Sequence, residues 1–360
     1  MVRTDPVRIR YAKCTADNPT SQKEIPNRAA LGKCVIAEEC VTGLITEGSP
    51  KVMKLSTWSP RLFTLALTQL TMGLVVEKIS SAETFLEQSE AFRNENPIET
   101  NAIGSLAISA AKDTAADPDR SWWLILRDKE VVGIASSNAT HPLKLSPMTE
   151  GAAKELAYVV WSNNPTFLGV SGPEVVAREF ISGWCSLSEK QTNDFSLHER
   201  YALYVLGEHS PLTTVSGKAR MSNVYDLDLL VKWMREFEHE TGGIIGGSEA
   251  ELQARVLAST FVIWEIDSRP VAMSRLASTI VHPGGLISRI GVVYTPPNER
   301  GNGYGAAVTS SMIEHLQKMG CSTITLQTDS DYEKSNRIYQ RLGFLAVGES
   351  VVLKLKPSSA

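Results

Sequence analysis

The sequence predicts an α/β (α+β) protein of two similar units, each a mixed central β-sheet flanked by helices. Three observations carry that prediction. The 360 residues exceed what one core usually serves, so two domains are the natural expectation. An apolar hairpin recurs: Trp123–Ala135 lies over Val262–Ser274, with Val132 falling on Val271, 139 positions later. Near the C-terminal end, the apolar run Ile290–Thr295 leads through Pro296-Pro297 to Gly301, Gly303 and Gly305, and then into a helical pattern.

Composition narrows the class. Hydrophobic residues make up 42% and charged residues 21%, with a net charge of −4. Those are values of an ordinary globular protein. A nucleic-acid partner would need a dominant basic face, so none is expected. The most apolar stretch, Leu62–Val76, is interrupted by Thr64, Thr68, Gln69 and Thr71. It falls short of the roughly 20 residues a membrane span needs, so it reads as a core element and no membrane partner is expected. Five cysteines (Cys14, Cys34, Cys40, Cys185, Cys321) form no framework of pairs, which points to a reducing, cytoplasmic setting. The six histidines show no metal-ligand spacing, and no metal is expected.

Residues 1–70 show no sustained period and are broken by Pro6, Pro19, Pro26, Pro50 and Pro60, so they read as an N-terminal extension. Arg3, Arg8 and Arg10 give it the basic start of an organellar transit peptide; Asp5 and Asp17 count against one. The first unit is expected over 71–212. It has helices at Glu83–Ala91 and Ile103–Lys112, the hairpin of Trp122–Leu126 and Val131–Ala135, and a helix over Glu150–Val159. A strand follows at Thr166–Val170, then a helix entered through Pro173-Glu174, and a strand at Tyr201–Leu206. The second unit is expected over 213–360. Asn223 is its first N-cap candidate, and Leu227, Leu230, Val231 and Met234 follow the helical period up to Gly242. The second hairpin, Phe261–Ile266 with Val271–Leu276, comes next.

A strand, a glycine loop and a helix N-terminus, in that order, make a seat for a phosphorylated ligand. Backbone N–H groups point outward, missing Cβ atoms allow close approach, and the helix dipole favours negative charge. Gly301-x-Gly303-x-x-Ala306 formally fits a dinucleotide fingerprint. However, Pro296–Arg300 separate it from its strand, and fewer than 60 residues remain for further βα units. Ser171-Gly172-Pro173-Glu174 reads as the same junction in the first unit. There Pro173 removes one N–H and Glu174 sets a negative charge in place of a phosphate, so one ligand site per chain is expected.

The spacing Arg300-x-x-Gly303-x-Gly305 resembles the acyl-CoA-binding motif of the GNAT superfamily of N-acyltransferases. A second signature lies downstream, a helix bearing Tyr339 followed by Gly343-Phe344. The likeness is clear over 215–360. More loosely, 75–360 resembles tandem GNAT proteins, in which a degenerate copy precedes an active one. One departure stands out: Tyr332 occupies a position where the family often has an asparagine that contacts the cofactor, and Asn336 lies nearby.

The resemblance implies acetyl-CoA as cosubstrate and an amine-bearing small molecule or peptide as acceptor, joined in a ternary complex. It implies that the strand before the loop splays from its neighbour, freeing the backbone of Val293, Tyr294 and Thr295 for pantetheine and thioester. Arg300, Gly301, Asn302, Gly303, Tyr304, Gly305 and Ala306 would then hold the pyrophosphate. Tyr339 becomes the general acid for the departing thiolate, since a phenol near pKa 10 matches a thiol in strength. For the base, Glu265 on the second hairpin is the first candidate, with Glu238, Glu240, Asp329 and a water relay as alternatives. His315 and Cys321 are expected to be structural. A non-catalytic acyl-CoA-binding module would keep the glycine loop and lack a usable base.

Overall fold

The computed structural model describes residues 73–112, 119–163, 167–211, 215–242 and 249–356. The extension over 1–70, with Cys14, Cys34 and Cys40, lies outside the described residues, as does Leu62–Val76 apart from its last few positions. The first half contains β1 (Leu74–Ile79), α1 (Ala82–Gln88), α2 (Glu90–Glu95), α3 (Asn101–Lys112), β2 (Ser121–Arg127), β3 (Glu130–Ser137), β4 (Leu143–Leu145), α4 (Ala152–Asn163), β5 (Gly169–Gly172), α5 (Glu174–Leu187) and β6 (Phe195–Leu206). The second contains β7 (Lys218–Met221), α6 (Leu227–Thr241), α7 (Glu249–Leu257), β8 (Thr260–Ile266), β9 (Arg269–His282), β10 (Gly285–Tyr294), α8 (Tyr304–Lys318), β11 (Cys321–Asp329), α9 (Glu333–Arg341) and β12 (Phe344–Leu355).

The repeated hairpin is real in three dimensions. β2 pairs with β3 and β8 with β9, both antiparallel. The two-residue turns match in backbone as well: Asp128 and Lys129 have φ of 50° and 74°, Asp267 and Ser268 of 48° and 64°. Two consecutive positive φ values make the turn whose twist suits a tight hairpin. Strong alternation fixes the strands. Phe261 and Ile263 face α6 and α7, while Val262 and Trp264 face α8.

All twelve strands form one sheet, in the order β1-β2-β3-β4-β5-β12-β6-β11-β10-β9-β8-β7. Each strand of the first half has its counterpart six strands later at the mirrored place in this order. The two halves therefore exchange their last strands. β12 lies between β5 and β6, and β6 lies between β12 and β11. The exchange reaches the cores. Val351 and Leu353 of β12 are buried with α4 and α5 of the first half, whereas Ala202 and Tyr204 of β6 are buried with α8 and α9 of the second.

One expected correspondence is corrected. Ser171–Glu174 joins β5 to α5, so its counterpart is the β11-to-α9 connection and not the glycine loop. The true counterpart of that loop is 146–151, between β4 and α4. β4 is only three residues long and lies between Pro142 and Pro147, too short to show a period. At this junction Gly151 N–H donates to Glu179 Oε1 at 2.6 Å, and Pro147 contributes no donor.

Because β12 joins the two halves of the sheet, damage to it should be felt by the whole molecule. Leu353→Ala removes a side chain only 3% exposed, for an expected loss of about 2–5 kcal/mol. Denaturant unfolding followed by tryptophan fluorescence and by far-UV circular dichroism should shift together as one transition. A second transition left at its original midpoint would refute the interlock.

Candidate functional site

The site starts from a break in sheet pairing. β10 and β11 run parallel and in contact from Leu286↔Cys321 to Ile290↔Leu326, and pairing stops there. Beyond that point β11 stays bound to β6, through Gln327↔Leu203 to Asp329↔Tyr201, while β10 stays bound to β9, through Val293↔Ser274 and Tyr294↔Met273. Gly291–Tyr294 thus keeps one backbone edge open inside the sheet. The register of β10 slips between Gly291 and Val293, and Val292 takes φ of 29°, a bulge that re-aims the chain. Gly291 is required here, since a Cβ would lie 2.6 Å from the Ala277 Cβ.

The loop after β10 makes a short helical turn at Pro297–Glu299 and then reaches the glycines. Gly301 and Gly303 adopt φ of 86° and 82°, a conformation that penalises any side chain. Gly303 is also the N-cap of the 15-residue α8. A Cβ on Gly305 would approach Thr295 Oγ1 to 3.3 Å. No acidic side chain stands in the first turn of α8. Its free N–H groups and dipole therefore face a cradle suited to phosphate. The residues present fit a pyrophosphate-bearing ligand whose extended arm runs along the open edge of β10.

Three predicted cofactor residues have additional work within the fold. Arg300 donates through Nε to Thr295 O at 2.9 Å and pairs through Nη2 with Glu240 Oε2 at 2.5 Å, while stacking over the Tyr294 ring. It braces the loop against α6. The Tyr294 side chain is buried against Trp233, and its hydroxyl donates to Glu236 Oε2 at 3.0 Å. Burial, then that carboxylate, raises its pKa, so it stays a phenol. Asn302 Nδ2 donates to Glu299 O at 3.1 Å. Val293 packs toward the α8 face, Tyr304 opens that helix and Ala306 is buried within it.

Tyr339 sits on α9, 9% exposed, against Tyr204 and Phe344. Burial pushes its pKa up to about 12, above the unperturbed value expected from sequence. It therefore stays protonated at physiological pH. The neighbouring Asn336 is occupied internally. Its Nδ2 donates to Asp329 O at 2.9 Å and Tyr332 O at 3.0 Å, and its Oδ1 accepts from Tyr204 Oη at 3.0 Å.

Glu265 lies elsewhere. It is 7% exposed near the outer edge of the sheet, on the α6–α7 face. Arg220 Nε donates to its Oε1 at 2.7 Å, and the same guanidinium grips both Asp226 oxygens at 2.7 Å. That network ties β7 to the start of α6. Glu265 does not line the cavity beside Gly291 and Val292. Three carboxylates do, Glu99, Glu199 and Glu349. Glu349 pairs with Arg200, and Glu199 of β6 accepts a hydrogen bond from the Tyr201 hydroxyl. Sequence reasoning missed Glu199 because β6 belongs to the first half and reaches this cavity only through strand exchange. His315 lies in the last turn of α8, and Cys321 Sγ lies 2.9 Å from Ser288 Oγ at the start of β11.

The cavity encloses about 430 Å³ between the halves. Its walls include Gly291, Val292 and Gln327 from the second half, and Leu145, Ser171 and Glu199 from the first. Among the described residues, no helix is long and apolar enough to cross a membrane.

Comparison with known proteins agrees with this arrangement. Residues 220–344 match the family described as "Acetyltransferase (GNAT) family". A mycothiol acetyltransferase of Saccharopolyspora erythraea is 35% identical over 66 residues, 18% of this chain and 22% of that protein. One from Paenarthrobacter aurescens is 39% identical over 64 residues, 18% of this chain and 19% of that protein. The chain thus spans about a fifth of the length of the curated relatives it matches. In fold, a GNAT-family acetyltransferase from Colwellia psychrerythraea aligns with a TM-score of 0.50 at 14% identity, over 78% of this chain and all of that one. A tandem GNAT protein from the clavulanic acid biosynthesis pathway aligns with a TM-score of 0.51 at 9% identity, over 79% of this chain and all of that one. Over residues 220–344 the chain therefore carries a domain of the acetyltransferase (GNAT) family, set within a fold of the tandem GNAT kind.

Proposed function

We propose that the protein is an acyl-CoA-dependent N-acetyltransferase, moving the acetyl group of acetyl-CoA to a primary amine by direct attack in a ternary complex. The single observation that carries this reading is the open backbone edge of Gly291–Tyr294, running into a glycine cradle at the N-terminus of α8. Residues 213–360 form the active copy. Residues 71–212 form a degenerate copy, because its loop at 146–151 has one glycine and that glycine's N–H is engaged by Glu179. The acceptor is an amine-bearing small molecule or peptide.

When bound, acetyl-CoA supplies a thioester carbonyl: the amine nitrogen forms the new C–N bond, the C–S bond breaks, and the sulfur leaves with the electron pair. The N–H groups of 301–306 hold the pyrophosphate. The backbone of Val293–Thr295 would align the pantetheine arm, and an N–H at the Val292 bulge would be a donor for the thioester oxygen. Glu199, on the cavity wall, replaces Glu265 as acceptor of the amine proton, directly or through one water. Tyr339 returns a proton to the thiolate.

Two substitutions test these roles through steady-state acetyl-CoA consumption over a diverse amine panel. Tyr339→Phe should lower kcat about a hundredfold while CoA binding by calorimetry stays nearly unchanged; full retained turnover would remove Tyr339 from the chemistry. Glu199→Gln should lower kcat by at least about a hundredfold. Glu265→Gln should mainly lower the melting temperature, by weakening the Arg220 network at a cost of about 1–3 kcal/mol. The reverse pattern, a stable but inactive Glu265→Gln and an active Glu199→Gln, would return the base to Glu265. CoA-dependent thermal stabilisation with no turnover of any amine would point to a binding module instead.

A further inference from the structure

The cleft holds a feature that acetyl transfer itself does not use. Lys144 of β4 and Arg289 of β10 come from opposite halves, and both line the same cavity as Gly291 and Val292. Both are half-buried, and the Arg289 charge adds to the cost of charging Lys144. Arg289 Nε donates to Asn101 Oδ1 at 3.0 Å, and that oxygen also accepts from Ser278 Oγ at 3.0 Å. Asn101 is neutral, so this contact orients the guanidinium without balancing it. Among the described residues, neither cation has a carboxylate in an ion pair. Glu199 acts on Lys144 from a distance but already receives the Tyr201 hydroxyl. Arg120, a third cation, adds to the positive potential at Lys144.

A further donor points the same way. Asn101 is 1% exposed, and its Nδ2 has no hydrogen-bond partner. A buried amide left with an unused N–H beside an unbalanced guanidinium is costly unless something accepts from that neighbourhood. Burial, then Arg289 and Arg120, pull the Lys144 pKa down to about 8. An anion close to both side chains would favour the charged lysine and offset the repulsion. Surface cations solvate freely and need no such partner; these two line one cleft from opposite halves of the protein.

We infer that Lys144 and Arg289 form an oxyanion subsite at the acceptor end of the cleft, so the amine substrate carries a carboxylate or a phosphate remote from the nitrogen that is acetylated. The inference rests on the acetyl-transfer reading for the amine end. It makes selectivity a property of the interface between halves: the second half supplies the open strand edge and Arg289, and the degenerate half supplies Lys144.

The full chain is tested with two matched pairs: 4-aminobutanoate against 4-aminobutanamide, and O-phosphoethanolamine against ethanolamine. Binding is read by calorimetry in the presence of CoA, and transfer by kcat/KM. In at least one pair the anionic member should be favoured by about tenfold to a hundredfold, the scale of one charge-assisted hydrogen bond. The pair that responds distinguishes carboxylate from phosphate. Lys144→Gln and Arg289→Gln should each cut that ratio about tenfold, and Arg289→Lys should recover part of it. If a variant fails to fold, the wild-type ratio still decides. Ratios near one in both pairs, no binding of either anion at millimolar concentration, or ratios unchanged in folded variants would overturn the subsite. Selective anion binding with no transfer to any amine would instead sink the acetyl-transfer reading and leave the subsite standing.

Discussion

The structure depends on one exchange of strands. β12 enters the first half to pair with β5, and β6 enters the second half to pair with β11. Each half leaves a place beside its fifth strand that its own last strand does not fill. A sheet edge buried without a partner would leave rows of unsatisfied N–H and C=O groups. Reciprocal insertion closes both edges at once and sets Val351 and Leu353 into a core otherwise built from the first half. The two halves are bound by main-chain ladders as well as by side-chain contact.

That arrangement also creates the cleft. β11 is held on one side by β6, so it follows β6 beyond Leu326, whereas β10 follows β9. The two strands part, and the backbone of Gly291–Tyr294 is left open within an otherwise continuous sheet. An open edge has a use when a ligand supplies the missing hydrogen bonds, and the glycine cradle at α8 begins where that edge ends. The strand that forces the opening also carries Glu199 to the cavity wall. The first half is thus more than a support. It supplies strand, wall and charge to a cavity whose open backbone edge belongs to the second half.

Polar networks sort into two kinds around this opening. Arg220 with Glu265 and Asp226, and Arg300 with Glu240 and Thr295, are satisfied networks that fix secondary elements. Burying a charge demands a partner, and these charges have theirs. Lys144, Arg289 and the Nδ2 of Asn101 lack such closure, and they line or adjoin the cavity. The same contrast separates Glu265, which is engaged by Arg220, from Glu199, which lines the cavity.

The sequence alone determined the local features. Hairpins, the amphipathic α6 with its Asn223 cap and Gly242 stop, the repeat at an offset of 139 and the glycine loop all rest on short-range periodicity and backbone permissiveness. These are legible because residues a few positions apart encode them. The tertiary structure alone decided three things. It moved the counterpart of the glycine loop from 171–174 to 146–151, because a three-residue strand has no period to read. It placed Glu265 in a closed ion pair and raised the Tyr339 pKa, because burial and partners belong to the fold. It brought Glu199, Lys144 and Arg289 into one cavity from strands far apart in the chain, because strand exchange is a choice between pairings that the same apolar pattern permits equally.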